Sequence, residues 1–256
     1  MPIIFYIFGI INISLSFLLS LRINHNTTRA VITALLLTIL PWHILLIRER
    51  YLYIFLLTIV LVIAIIFVEK IKTYSKKIGV LLIVISIIIF ITSVIAVPKY
   101  TNVEVDSQRT YASLTKFKSL STAFSNKFIE SYRVRESLLF QNLDFGNHFF
   151  SGHPRQRVGV KEIPKFYISL LPLLIIGIVR LNSQARWLIL STLILSIMLP
   201  VPFNDRGIGS GSLLILPVVF LSAFGLNSLK HYQRIILCLL LIEAAFFFSS
   251  FFGGYV

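Results

Sequence analysis

The run IGVLLIVISIIIFITSVIAV, Ile78 to Val97, is 20 residues without a charge. As an α-helix it spans about 30 Å, the thickness of a bilayer's hydrocarbon core. Similar runs recur on both sides of it. We read about eight crossings, at 2–21, 30–47, 52–68, 78–97, 164–179, 187–203, 213–229 and 235–252. The chain of 256 residues is 57% hydrophobic, beyond the range of ordinary soluble domains. Alternating strand patterns of the barrel kind are absent. The expected fold is therefore all-α: a polytopic helical membrane protein with residues 1–97 as N-terminal transmembrane helices, 98–162 as an external loop region and 163–256 as C-terminal transmembrane helices. The opening MPIIFYIFGI has no basic leader segment and is read as part of a first crossing.

The net charge is +14, but it is distributed as in a membrane protein rather than a nucleic-acid binder. Arg22, Arg29, Lys70, Lys72, Lys76, Lys77, Arg180, Arg186, Lys230 and Arg234 fall in alternate loops, ten cations against three (Arg48, Arg50 and Arg206) in the short loops of the other face. The positive-inside rule puts the ten inside and both termini outside. Segment 98–162 then lies outside, and long loops cross regardless of their charge. It holds six of the ten acidic residues. Within it, Phe117, Leu120, Phe124, Phe128, Ile129 and Tyr132 recur at helical spacing, which predicts amphipathic helices at the membrane surface. No arginine-rich arm or nucleic-acid motif occurs, so no nucleic-acid partner is expected. The single cysteine, Cys238, is read as a small buried apolar residue and permits no internal disulfide.

A polar, turn-rich stretch, FGNHFFSGHPRQRVG (Phe145–Gly159), interrupts this apolar chain. Its glycines and Pro154 predict a structured loop just before the chain re-enters the membrane at Pro164. His148 and His153 with Asp144 make too weak a ligand set to expect a metal, and no cofactor is expected. The segment GIGSGS (207–212) lacks the lysine of a phosphate loop. In the second crossing, Pro41 predicts a bend, Trp42 suits an interfacial anchor, and His43 with Arg48, Glu49 and Arg50 gathers at the outer face. Glu243 lies in the middle of the last apolar run, where an unpaired carboxylate is costly, so it is expected to face other helices. Lys127, Arg133, Arg135, Arg155, Arg157, Lys161 and Lys165 fall on or beside the outer face. Arginine grips phosphate bidentately and lysine as a point charge, so a lipid phosphate or anionic lipid is the expected partner.

Three ordered segments resemble the bacterial and archaeal integral-membrane glycosyltransferases of the GT-C fold, of the protein mannosyltransferase and aminoarabinose transferase type. AVITALLLTILPWHILLIRERY is similar to a small-apolar helix ending Ser-Pro-Trp-His, with Leu40 in place of the serine and Pro41, Trp42, His43 and Arg48 fitting. The segment from Phe124 to Ile178 resembles an outer loop with Asn126 and Lys127, a turn at Phe149, Phe150 and Gly152, then Arg157 and a helix carrying Tyr167, Leu171, Pro172 and Gly177. LPVPFNDRGIGSGSLLILPVVFLSAFGL resembles a Pro-x-Pro turn and a Leu-Pro helix ending Ala-x-Gly-Leu. The resemblance implies transfer of a sugar from a polyprenyl-phosphate carrier at the outer face of the cell membrane. It implies Arg48, Arg155, Arg157 and Lys161 as phosphate contacts. In the family the base lies in an outer loop that precedes the spans matched here, so Glu49 and Asp144 stand in for it. The family's arginine about six residues before the Leu-Pro proline falls here on Gly211, with Arg206 nearby. These departures imply a truncated or inactive member, or one chain of a split enzyme whose partner supplies the N-terminal part. The alternatives are a non-catalytic scaffold and, ranked last, a small transporter using Glu243.

Overall fold

The computed structural model describes residues 3–48, 52–95, 136–137, 139–140, 142–149, 165–181, 183–199 and 212–253. All regular structure among them is helical, with no strand. The helices are α1 (Ile3–Asn24), α2 (Thr27–Ile39), α3 (Pro41–Arg48), α4 (Tyr53–Ile66), α5 (Val68–Thr73), α6 (Ser75–Ile95), α7 (Phe145–Phe149), α8 (Leu170–Arg180), α9 (Ser183–Met198), α10 (Ile215–Ser228, preceded by a 3-10 turn at Ser212–Leu214) and α11 (Gln233–Gly253). Each of the eight apolar runs thus contains a helix. Among the described residues, one unbroken helix, Ile3–Ile23, is long and apolar enough to cross a membrane, and the bent pair α2–α3 is a second if counted as one span.

Local chemistry sets the boundaries. His25 adopts a left-handed φ of 50° and closes α1. Asn26 then caps α2, its Oδ1 accepting from Arg29 N at 3.0 Å. Leu40, which precedes proline, is pushed out of the helical region to ψ 123°, and α3 departs at 53° to α2. The predicted bend at Pro41 is therefore a full break.

Helix directions follow from cross-helix contacts. Ser20 and Thr33 share a hydrogen bond of 3.1 Å across the tight α1–α2 turn, so these helices are antiparallel. Buried Asn12 bonds α4 twice, donating to Ile54 O at 3.1 Å and accepting from Thr58 Oγ1 at 2.7 Å. Ten residues on, Arg22 donates to Ile65 O at 3.2 Å, so α1 and α4 run parallel. Helix α2 packs along α10, with Arg29 in its first turn over the Phe224 ring at 4.6 Å. The Asn227 amide oxygen, turned toward Arg29, accepts from Nε at 2.8 Å. Those two helices are thus antiparallel. Helix α8 begins beside the end of α2 and packs closely on α10. Gly177 and Gly225 permit that approach: a Cβ on either would overlap a backbone carbonyl of the other helix, Leu221 or Leu173. The pair α6–α9 packs together at the side.

The core lies at the α2–α3 break and between α2, α8 and α10, around Leu36, Leu37, Leu40, Trp42, Phe149 and Phe166. Apolar side chains also cover much of the outside, including Ile10 on α1, Ile63 on α4, Ile88 on α6 and Phe246 on α11.

Several expectations change. Trp42 is fully buried rather than an interfacial anchor, because the chain before α8 and helix α7 cover it. Cys238 is exposed rather than buried, since it lies on the outward face of α11. The Lys70–Lys77 loop is largely helical, as α5 and the start of α6. Part of the turn-rich stretch, Phe145–Phe149, is a short helix. The run read from 164 becomes helical only at Leu170, after a non-helical Lys165–Ser169. The amphipathic helices read within 98–162 fall largely outside the described residues.

Candidate functional site at the helix break

The site forms around the missing amide of Pro41. In a continuous helix, residue 41 would donate to the carbonyl of Leu37 and residue 43 to that of Ile39. Both acceptors are taken up by side chains. The His43 ring hydrogen-bonds the Leu37 carbonyl, and Tyr167 Oη donates to Ile39 O at 2.6 Å. Trp42 N turns away from α2 altogether and donates to Lys165 O at 3.2 Å. The break is thus held from two sides, by its own histidine and by the chain leading into α8. His43 is 1% exposed, and its Nε2 has no hydrogen-bond partner among the described residues. A neutral ring that donates through Nδ1 presents a bare lone pair at Nε2.

Helix α7 docks on the same place. The His148 ring stacks on Trp42 at 5.8 Å between centroids, and Phe166 meets Trp42 edge-on at 5.3 Å. Phe166 N donates to His148 O at 2.9 Å. His148 Nε2 lies 2.8 Å from Asn142 O and, facing a carbonyl, must donate. Its Nδ1 is buried with no hydrogen-bond partner among the described residues. Burial, aided by the positive charge of Lys165, lowers the His148 pKa to about 4, against the opposing pull of its bond to Asn142 and of Asp144. The ring is therefore neutral at pH 7. The Lys165 ammonium sits over the Trp42 indole at 4.4 Å.

No family model, curated protein or solved structure matches this chain.

The predicted site residues distribute as follows. Arg48 ends α3, one and a half turns beyond His43, and is half-buried. Asp144 is exposed and accepts from Gly146 N at 2.8 Å, so its carboxylate starts the turn of α7. Glu243 is half-buried on α11 and faces α8's approach, accepting from Ser169 Oγ at 2.8 Å and Ser169 N at 3.4 Å. That meets the expectation that it turns toward the protein. Glu49, Arg155, Arg157 and Lys161 lie outside the described residues, as does His153.

The structure thus joins His43, Arg48 and Asp144 to one end of the bundle, through the break and its docked helix. Three participants were undervalued in sequence. From sequence, Lys165 is only a border cation, Tyr167 only part of a resemblance, and Ser169 carries no signal of its own. The available signal was position: all three lie in the few residues leading into α8. Chemically, this end offers a cation on an indole face, a second cation at the end of α3, and two buried imidazole nitrogens with lone pairs. That set suits an anion beside a neutral base better than a metal.

Proposed function

We propose that the chain is a multi-pass membrane protein of about eight spans, in the cell membrane, similar in kind to the GT-C glycosyltransferases. It binds the phosphate of a polyprenyl-phosphate-linked sugar at the outer face, beside the α2–α3 break. The observation that carries this reading is a convergence. The three segments that resemble the family are far apart in sequence, yet they pack on one another. Helix α2 packs on α10, α10 on α8, and the residues before α8 clamp the break. Two features support the membrane setting. The outer surfaces of α1, α4, α6 and α11 carry exposed isoleucine, leucine and phenylalanine in numbers a water-facing surface rarely tolerates. The arginines Arg22 and Arg29 share the end of the bundle opposite the break, in keeping with the positive-inside reading.

In such a transfer, cations stabilise the departing lipid phosphate while a carboxylate takes the acceptor's proton. Arg48 and Lys165, joined by Arg155, Arg157 and Lys161 from the loop, serve the first task. A specific observation favours a second reading for the other task. Asp144 is engaged with the Gly146 amide and Glu243 with Ser169, and Glu49 lies outside the described residues; on this second reading a partner chain supplies the base and this chain is the lipid-phosphate-binding subunit. The test is thermal stability of the purified protein in neutral detergent with a short-chain polyprenyl phosphate. The ligand raises the melting temperature by mass action, and replacing Arg155 and Arg157 together with Ala abolishes the rise while leaving the unliganded protein unchanged. Equal stabilisation of the double variant sinks the phosphate-site reading. Sugar transfer by the chain alone would reject the partner reading.

A further inference from the structure

The end of the bundle opposite the break carries a built cationic corner that the sugar-transfer reading does not use. Helix α5 links α4 to α6, and helical hydrogen bonding runs through both bends. Phe67 N donates to Ile63 O at 3.0 Å, Tyr74 N to Lys70 O at 2.9 Å and Ile78 N to Tyr74 O at 2.9 Å. Phe67, Lys70, Tyr74 and Lys77 therefore fall at helical spacing on one stripe. The two aromatic rings are 45% and 51% exposed, and each carries a lysine ammonium 5.8 Å above its face, Lys70 on Phe67 and Lys77 on Tyr74. Lys76 is exposed beside them. Val68 is buried and anchors α5 to α1. At the same corner, Arg22 closes the end of α4 through the Ile65 carbonyl.

We propose that this α5 corner binds the phosphate of anionic phospholipids in the leaflet opposite the sugar-transfer face. The inference rests on the membrane reading given above. Three arguments single out lipid. Exposed rings beneath ammonium groups are the arrangement of an interfacial belt, where the ring sits at headgroup depth and the cation beyond it. The adjoining surfaces of α4 and α6 are apolar, with Ile63, Ile66, Val80 and Leu81 exposed on either side, which suits acyl chains attached to the headgroup. Glu69 is the sole acidic side chain in α5 and the first turns of α6, so the positive field there is largely uncompensated. A lysine near an anionic surface is worth roughly fivefold in binding.

The experiment uses the full chain in neutral detergent, titrated with phosphatidylglycerol, phosphatidylcholine or inorganic phosphate, with melting temperature as readout. Phosphatidylglycerol raises it and the other two do not. In the triple variant Lys70→Gln/Lys76→Gln/Lys77→Gln, the lipid-free melting temperature is unchanged. The phosphatidylglycerol needed for half the effect rises by on the order of a hundredfold. An unchanged titration in the triple variant overturns the inference, and so does an equal response to phosphatidylcholine. A response reproduced by inorganic phosphate makes the corner a free-anion site and equally overturns it. Extraction separates this from the larger reading: a chain recovered from membranes by salt alone refutes the membrane setting. A detergent-dependent chain whose lipid response ignores the lysines refutes only the corner.

Discussion

If the His43 ring stands in for the amide that Pro41 lacks, the two residues must be energetically coupled. Replacing His43 with Leu removes the donor to the Leu37 carbonyl in a region where Leu36, Leu37 and Leu40 are essentially unexposed. A buried acceptor left unsatisfied costs about 1–3 kcal/mol. For a chain of this size that lowers the melting temperature by about 2–4 °C per kcal/mol, so His43→Leu should lose roughly 2–12 °C. In a Pro41→Ala background the backbone regains an amide at position 41. The constraint that holds Leu40 extended is lifted, and the new N–H reaches Leu37 O in the ordinary helical way. The same His43→Leu change should then cost well under half as much. The double-mutant cycle should show a coupling of about 1–2 kcal/mol. The assay is thermal unfolding of the four proteins in one detergent, followed by circular dichroism at the helix band. Equal losses in the two backgrounds would falsify the claim that His43 repairs the break, and would reduce it to ordinary packing.

Two further outcomes follow from the geometry. Gly225→Ala places a methyl group against the Leu173 carbonyl, so it should destabilise by about 1–3 kcal/mol, while Gly146→Ala, which meets only the side chain of Asp144, should not; comparable melting temperatures would refute the close α8–α10 crossing. The His148 ring is held neutral in the fold, with its pKa lowered to about 4 from 6.5, so the unfolded chain binds the extra proton between those values; stability is full above about pH 6.5 and falls as pH drops toward 4, and His148→Phe should flatten that slope if the ring is buried as described.

The helices were legible because a run of apolar residues this long has few other stable forms. The break was legible for the same elementary reason, a proline that removes one amide and restrains the residue before it. What could not be read was which face of each helix turns inward. On α11, Ile, Leu and Phe occur all round, so periodicity separates no inner stripe from an outer one. Cys238, set among them, reads as inward from sequence and lies outward. Trp42 failed in the opposite direction: an indole near a helix end suits an interface, but here Phe166 and His148 close over it. The markers that did carry inward information were polar or small. Asn12, Ser20 and Thr33 are buried at helix contacts, and Gly177 and Gly225 mark the tightest crossing. In an apolar chain the exceptions to apolarity locate the contacts, because each unsatisfied polar group there must find a partner.

Glu243 is the sharpest such exception, and its surroundings bear on which function the chain can have. Its carboxylate accepts from Ser169, two residues after Tyr167. Tyr167 in turn donates to Ile39 at the end of α2, and two residues before it Lys165 receives the Trp42 amide. One short segment therefore links α11 to the α2–α3 break. A transporter's coupling carboxylate has to alternate between bound and released states along a path for its ion. Glu243 is instead joined to the same five-residue stretch that fixes α2 and α3, so its release would loosen the clamp on the break as well. A group built into a joint in this way serves best by staying put. The polar centre of the last helix is thus better explained as the far anchor of the α2–α3 break than as a coupling site.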